Sequence, residues 1–375
     1  MGRSALRLAF AALLSLLLSS TASAQQSRHY NNWIFGNSCR VTWDANDNIT
    51  VSSTLDGGGS IGFTTQEGSA TWSDPATGAL ILYTDGIRVW NNLGEVVTDT
   101  NLKGNPSSLN SGIILPVPET PNQYFVIANP ASSGAVMTIT RFDFSQTKAG
   151  NTAPDKVLVA EKNITGTDST SEAAQVALHS NKKDFWLISK DNTGIIVVPI
   201  TKDGAGAVQR YEQGTNIKGN QYNGMRVNNS STKIANLYIN NVEIYDFDAS
   251  TGVVSNRQSV GTHDTSDSYG AEFSPDDTKL YTSSSSSIYQ FDLANSNARV
   301  NMFSGVTYPY IALGRDGKIY IPHYQQAFLH TITNPNAPAG GGATFNPDGL
   351  PLAQGCITTL GLPLALATNI APPGV

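Results

Sequence analysis

Charged side chains are scarce in this chain of 375 residues, since Asp, Glu, Lys and Arg together make up only 14% of it. The 23 basic residues are outnumbered by 29 acidic ones, and no segment gathers Lys and Arg into the basic stripe that phosphate binding requires. Helical periodicity is also lacking, because no segment beyond the N-terminus keeps apolar residues at i, i+3, i+4 and i+7. The composition therefore argues against a nucleic-acid partner and predicts an all-β protein.

Long apolar runs are absent after the first 24 residues, and a bilayer span needs roughly 18 or more apolar residues. The N-terminus itself has Arg3 and Arg7, then an apolar stretch over 8–18, then small residues at 22–24. This pattern predicts a secretory signal peptide over 1–24, cleaved near Ala24. We therefore expect export to the periplasm, the cell surface or the medium. The predicted organisation is a signal peptide, one domain over 25–370, and a tail over 371–375.

Metal-binding and catalytic motifs are missing as well. The five histidines show no metal-ligand spacing, and only two cysteines occur, so we expect no metal and no cofactor. Asp44, Asn46 and Asn48 imitate a calcium loop, but they lack its Gly and its Glu, and a hairpin turn explains them more simply. The glycine-rich run 57–62 matches one sequence pattern of phosphate-binding loops and one of hydrolase nucleophile turns. Both patterns need a helix directly after them, and none is predicted here, so the run is interpreted as a turn.

A repeat is what the sequence does contain. Six times, a run of small residues gives way to a polar turn and then to an aromatic-rich run, in segments 67–83, 111–126, 172–188, 222–238, 269–281 and 308–320. One aromatic residue in the second half of each segment serves as a reference point, and successive reference residues are 41, 62, 52, 43 and 39 residues apart. One four-stranded blade of a β-propeller takes roughly 40 to 50 residues. The spacing therefore predicts a single β-propeller.

The two chain ends supply the material for one more blade. Residues 40–43 and 49–55 flank a turn and predict a hairpin at the N-terminus, while Cys356 to Leu360 can add a strand from the C-terminus. Pairing of these ends would close a seventh blade, and six complete blades is the alternative. Closure matters, because an open propeller would leave a sheet edge free to pair with other chains.

Cys39 and Cys356 lie near opposite ends of the chain, where this closure is predicted. An even pair of cysteines in an oxidising compartment favours a disulfide, which would fasten the first blade to the last. The alternative interpretation is two buried thiols.

Several short motifs resemble the propeller-like N-terminal region of large Bacteroidetes surface proteins associated with gliding motility and type IX secretion. They are densest over 33–126, with Trp33-Ile34-Phe35-Gly36-Asn37 and Leu82-Tyr83-Thr84-Asp85-Gly86 as examples, and they return at 361–363. The resemblance implies an exported propeller. It assigns no catalytic residue.

Alignment of the repeats places one set of side chains at the start of each inner strand. These equivalent positions would ring one mouth of the central channel, and they are Glu67, Ser111, Glu172, Tyr222, Tyr269 and Tyr308. Tyrosines and carboxylates around a funnel can stack on, and hydrogen-bond to, a sugar or a peptide. The alternative is that they only bond neighbouring inner strands and order water in the channel.

The function predicted from these observations is an exported, non-catalytic binding module that recognises carbohydrate or protein at the channel mouth. One alternative is a glycosidase or lyase that uses the carboxylates of Glu67 and Glu172 together with the tyrosines. A further alternative is a structural scaffold whose partner docks on its loops.

Overall fold

A computed structural model describes residues 27–97, 102–130, 136–144, 157–163, 170–191, 193–212, 223–265, 267–364 and 366. The predicted signal peptide, the predicted tail and Tyr222 lie outside this described part of the chain. The described residues form seven antiparallel sheets around one axis, without an α-helix among them. The protein is a seven-bladed β-propeller, as the repeat spacing predicted.

Blades 1 to 3 come from the first part of the chain. Blade 1 consists of β1 (Asn32–Phe35), β2 (Cys39–Trp43) and β3 (Ile49–Ser52), and a 3-10 turn at Asp56–Gly58 follows it. Blade 2 consists of β4 (Ala70–Ser73), β5 (Leu80–Thr84) and β6 (Val89–Asn91). Blade 3 consists of β7 (Gly112–Pro116), β8 (Gln123–Ala128), β9 (Thr138–Asp143) and β10 (Val157–Asn163).

Blades 4 to 7 complete the ring. Blade 4 consists of β11 (Thr170–Leu178), β12 (Phe185–Asp191), β13 (Gly194–Thr201), β14 (Gly204–Ala205) and β15 (Gln209–Glu212). Blade 5 consists of β16 (Met225–Val227), β17 (Lys233–Tyr238), β18 (Asn241–Asp248) and β19 (Val253–Thr262). Blade 6 consists of β20 (Ser268–Phe273), β21 (Lys279–Ser284), β22 (Ser287–Asp292) and β23 (Ala298–Ser304). Blade 7 consists of β24 (Ala312–Leu313), β25 (Ile319–Pro322), β26 (Phe328–Thr333) and β27 (Thr344–Pro351).

Each predicted repeat corresponds to the two inner strands of one blade and the turn between them. In blade 2, for example, the Asp74 carboxylate accepts hydrogen bonds from the backbone N–H groups of Ala76 and Thr77, at 2.9 and 2.7 Å. This side-chain-to-backbone bonding stabilises the tight turn between β4 and β5. The aromatic second halves of the repeats fill the spaces between blades, where Trp43 of blade 1 packs edge-on against Tyr320 of blade 7 at 5.9 Å.

Near the axis, the backbones of neighbouring blades approach each other closely, so the inner strands need small residues there. A Cβ on Gly224 would lie 2.0 Å from the Tyr269 carbonyl oxygen, and one on Gly68 would lie 2.4 Å from the Ser111 nitrogen. Both glycines precede inner strands that face the next blade. The sequence asymmetry between small and aromatic halves therefore reflects the narrow centre and the wider rim of the ring.

The ring closes where the two ends of the chain meet. Asn37, after β1, pairs with Ile357, and the Leu360 N–H donates to the Gln66 carbonyl of blade 2 at 3.1 Å. The Tyr310 N–H of blade 7 donates to the Leu360 carbonyl at 3.0 Å, so the C-terminal segment lies between blades 7 and 2 at the centre. Cys39 and Cys356 form a disulfide across this closure. Both the closure and the bond agree with the sequence prediction.

The two motifs interpreted as turns have that structure. Gly57 and Gly58 both adopt positive φ, 82° and 83°, in a short turn that no α-helix follows in the described chain. The Asp44 carboxylate accepts hydrogen bonds from the N–H groups of Asn46 and Asn48, at 2.7 and 2.9 Å, and so holds the hairpin between β2 and β3. Within the described residues, no three His, Cys, Asp or Glu side chains form a group that could hold a metal ion.

Candidate functional site at the channel mouth

The inner strands β4, β7, β11, β16, β20 and β24 all begin at the same end of the channel, which is called the mouth below. The described candidate residues lie at or just before the starts of these strands. Glu67 and Tyr308 precede β4 and β24, Ser111 adjoins β7, and Glu172 and Tyr269 lie within β11 and β20. Tyr222 lies outside the described residues.

Glu67 and Glu172 form an acidic pair at the mouth. Burial raises the pKa of Glu67, partly offset by Tyr269 and by the Ser107 hydroxyl, which donates to Glu67 Oε1 at 3.3 Å. Burial and then the negative charge of Glu67 raise the pKa of Glu172 to about 7, against a weak bond of 3.4 Å from the Leu109 N–H. Because burial and the charge of Glu67 both disfavour ionisation of Glu172, Glu172 retains its proton well above the usual range of a glutamate.

Tyr269 interacts with both carboxylates of this acidic pair. Its side chain is 3% exposed, and burial together with the Glu67 carboxylate raises the pKa of Tyr269 well above its ordinary value. Yet neither Tyr269 Oη nor Glu67 Oε2 has a partner at full hydrogen-bond geometry, although both atoms are buried. The Tyr269 hydroxyl and the Glu67 carboxylate nevertheless interact as a hydrogen-bonded pair, so their contact at the mouth is a poorly aligned one.

Ser111 and Tyr308 have different surroundings. Ser111 is fully buried, and its hydroxyl donates to the Gly68 carbonyl, which ties blade 3 to blade 2. Tyr308 is partly exposed, donates from its hydroxyl to Asp267 Oδ2 at 3.3 Å, and stands edge-on to Tyr269 with ring centroids 5.8 Å apart. Tyr308 thus belongs to the rim beside the acidic pair, whereas the Ser111 hydroxyl serves inter-blade contact.

Deeper in the channel lies a buried polar network that sequence reasoning did not identify. The Arg226 guanidinium pairs with Glu272 at 2.8 Å and donates to Gln175 Oε1 at 3.3 Å, and both charged side chains are at most 3% exposed. Above it, Asn110 Nδ2 donates to Tyr310 Oη at 3.1 Å. These five residues, called the channel plug below, come from blades 3 to 7.

Polar residues within the inner strands are the sequence signal for the plug. Gln175, Arg226 and Glu272 are polar residues near apolar positions of the inner strands, three or four residues beyond the mouth positions. The plug links inner strands of blades 4, 5 and 6 through Gln175, Arg226 and Glu272. The mouth residues can donate and accept hydrogen bonds, and Glu172 can hold a proton near neutral pH.

Comparisons with solved structures agree with the architecture. A protein from Lactobacillus plantarum is 10% identical over 88% of this chain and 98% of its own, with a TM-score of 0.52. A functionally unknown protein from Desulfotomaculum acetoxidans is 14% identical over 72% and 80%, with a TM-score of 0.43. Virginiamycin B lyase from Staphylococcus aureus is 13% identical over 77% and 83%, also at 0.43.

The likeness to the Lactobacillus plantarum protein supports the fold alone and assigns no activity. No family model and no curated protein matches the chain. The function must therefore be argued from the residues of the mouth.

Proposed function

We propose that this protein is an exported binding module that holds a carbohydrate at the channel mouth. Glu67, Glu172 and Tyr269 would bind the ligand hydroxyl groups, and the partly exposed ring of Tyr308 would form one side of the site. Carboxyl and phenol groups offer both donors and acceptors, which suits the many hydroxyl groups of a sugar.

The observation that supports this proposal most directly is the poor alignment of the contact between Glu67 and Tyr269, which leaves Glu67 Oε2 and Tyr269 Oη without a well-formed hydrogen bond. A buried polar group without a well-formed bond is costly, so a ligand that supplies a better partner gains affinity. A ligand would reach the site beside Glu172, because the Glu172 side chain is partly exposed while those of Glu67 and Tyr269 are buried.

A second candidate function rests on the protonation of the same pair. A carboxyl with a pKa of about 7 next to another carboxylate is the arrangement that glycosidases use for a general acid. In that case Glu172 would protonate a leaving group and Glu67 would act as its charged counterpart.

A glycan-array binding assay run beside a polysaccharide turnover assay tests both candidates. Y269F removes the hydroxyl and E67Q removes the carboxylate of this poorly aligned contact, so each variant is expected to weaken retention roughly tenfold. Y308F is the matched control and should change retention by less than about threefold, since its hydroxyl already has a partner.

Retention without turnover supports the binding module, and turnover that is lost in E172Q supports the enzyme. Unchanged retention by an E67Q/Y269A variant that keeps its fold would exclude the mouth as the binding site. A partner that binds regardless of these changes would then dock on the loops, as a scaffold requires.

Export is part of the proposal and rests on the predicted signal peptide and on the Cys39–Cys356 disulfide, because disulfides persist in oxidising compartments. In the described part of the chain, no helix has the length and apolar character needed to cross a membrane. The resemblance to Bacteroidetes surface proteins favours the bacterial cell surface as the place where the module acts.

A further inference from the structure

A cleft of about 480 Å³ lies between blades 4 and 5, at the end of the propeller opposite the mouth. Leu178 borders it and lies six positions beyond Glu172 along extended β11, which corresponds to about 20 Å. Three turns form its walls, namely those over 179–184, 228–232 and 248–252. The cleft is therefore distinct from the acidic pair and its volume suits a small ligand, for which pockets of about 300 to 1,000 Å³ are usual.

Hydroxyl groups dominate the lining of this cleft. The lining includes Ser180, Ser230, Ser231, Thr232 and Ser250, together with the apolar Leu178 and Phe247. Hydroxyl side chains both donate and accept, and apolar side chains match the C–H faces of a sugar ring. The chemistry of the cleft is that of a site for a polyhydroxyl compound.

Ser231 shows that the cleft has bonding capacity left over. Its side chain is 4% exposed, yet its hydroxyl has no hydrogen-bond partner. The backbone around it is held in place, because Asn228 Oδ1 accepts bonds from the N–H groups of Thr232 and Lys233, each at 2.8 Å. Ser231 borders the cleft, so a ligand that reaches its buried hydroxyl would supply the missing partner.

Charge on the lining favours a neutral occupant. Lys182 and Asp248 contribute one charge of each sign, so the cleft offers neither a phosphate nor a cation a net attraction. The Asp248 carboxylate is already engaged by its own turn, accepting from the Ser250 N–H at 2.8 Å and from the Thr251 hydroxyl at 2.8 Å. We propose that this cleft is a second binding site, which takes a single neutral sugar ring through Ser231 and its neighbouring hydroxyl groups.

Trp186 provides a reporter for this site. Its indole N–H donates at 2.9 Å to the carbonyl of Ala249, a residue that borders the cleft. Methyl glycosides of glucose, galactose, mannose and N-acetylglucosamine can be titrated into the full protein while the indole N–H signals are followed by NMR, with W186F to assign the signal. At least one glycoside should shift the Trp186 signal saturably, with a dissociation constant of roughly 1 to 10 mM for one ring.

Two substitutions at Ser231 distinguish binding in the cleft from other effects. S231A should weaken binding roughly three- to tenfold. S231N should weaken it at least as much, because the larger amide replaces the hydroxyl at the cleft wall, and Asn tolerates the positive φ of 55° at this position. S296A is the matched control, because Ser296 also has a positive φ, 52°, but is exposed in a turn of blade 6. E67Q/Y269A, which is expected to lose retention at the mouth, should still show the native shift of the Trp186 signal, which separates this site from the mouth. Absence of any saturable shift, or equal binding by S231N, would overturn the proposal.

Discussion

Cys39 and Cys356 are separated by 317 positions in the chain, yet their Cα atoms lie 4.9 Å apart and their sulfur atoms are bonded. The bond joins β2 of blade 1 to the C-terminal segment that lies between blades 7 and 2. Opening of the ring at this point would expose the edges of two inner strands. The disulfide therefore links the stability of the whole propeller to one covalent contact between its ends.

A C39S/C356S variant should be less stable than the native protein by roughly 2 to 5 kcal/mol, because the disulfide restricts a very long loop in the unfolded chain. Equilibrium unfolding in urea measures the difference, and native protein treated with a reductant should give the same curve as the variant. If the oxidised native protein and the variant unfold at the same urea concentrations, backbone pairing alone holds the ring closed.

Gly361 lies in the closing segment, and a Cβ there would be 2.1 Å from the Glu67 carbonyl oxygen. G361A should therefore destabilise the protein by roughly 2 to 4 kcal/mol, since backbone must move at the centre of the ring. Gly59 is the control, because its φ is −62° and the nearest atom to a Cβ would lie 3.7 Å away. G59A should stay within about 0.5 kcal/mol of the native protein in the same thermal unfolding experiment. Equal losses in both variants would contradict the tight closure.

Much of the fold could be predicted because its signals are local. The alternation of small residues, turn and aromatics in segments such as 269–281 reports a single hairpin, and repetition of that hairpin implies a ring. Strand β1 was not predicted as a strand, since Asn32–Phe35 is buried on both faces and shows no alternation. The closing segment was anticipated, but its place between blades 7 and 2 depends on contacts such as Tyr310 to Leu360, which no local pattern records.

The candidate site could be predicted only in outline. Alignment of the repeats located Glu67, Glu172 and Tyr269 at one end of the channel, because position along a strand is preserved between blades. It could not predict that the Ser111 hydroxyl bonds to Gly68, since a shift of one residue changes which way a strand residue points. The pairing of Arg226 with Glu272 depends on two blades meeting at the axis, and charge alone does not reveal it.

Loss of one partner in the channel plug should be costly. Arg226 and Glu272 are 3% and 1% exposed, and R226M would leave the Glu272 carboxylate buried without its cation. We expect a loss of roughly 3 to 5 kcal/mol, measured by chemical unfolding at pH 7. The R226M/E272Q double variant should recover part of this loss, because it removes the buried charge. A double variant with the summed losses of both single variants would show that the two residues act independently.

Glu172 should make the stability of the protein depend on pH near neutrality. The pKa of Glu172 rises from its ordinary 4.5 to about 7 in the folded protein, because of burial and then the charge of Glu67. Between these values the folded protein keeps a proton that the unfolded chain has released. The stability that this retained proton gives the folded protein is therefore fully present below about pH 4.5 and is lost as the pH rises through 7.

The E172Q variant cannot lose this proton. Its unfolding free energy should match that of the native protein near pH 4.5 and exceed it by on the order of 2 to 3 kcal/mol at pH 8. Guanidinium unfolding at a series of pH values measures the two profiles. E67Q should flatten the native profile in part, since it removes the neighbouring charge that contributes to the shift. Parallel profiles for E172Q and the native protein would mean that Glu172 ionises normally at the mouth, and the acid-base candidate for this site would lose its support.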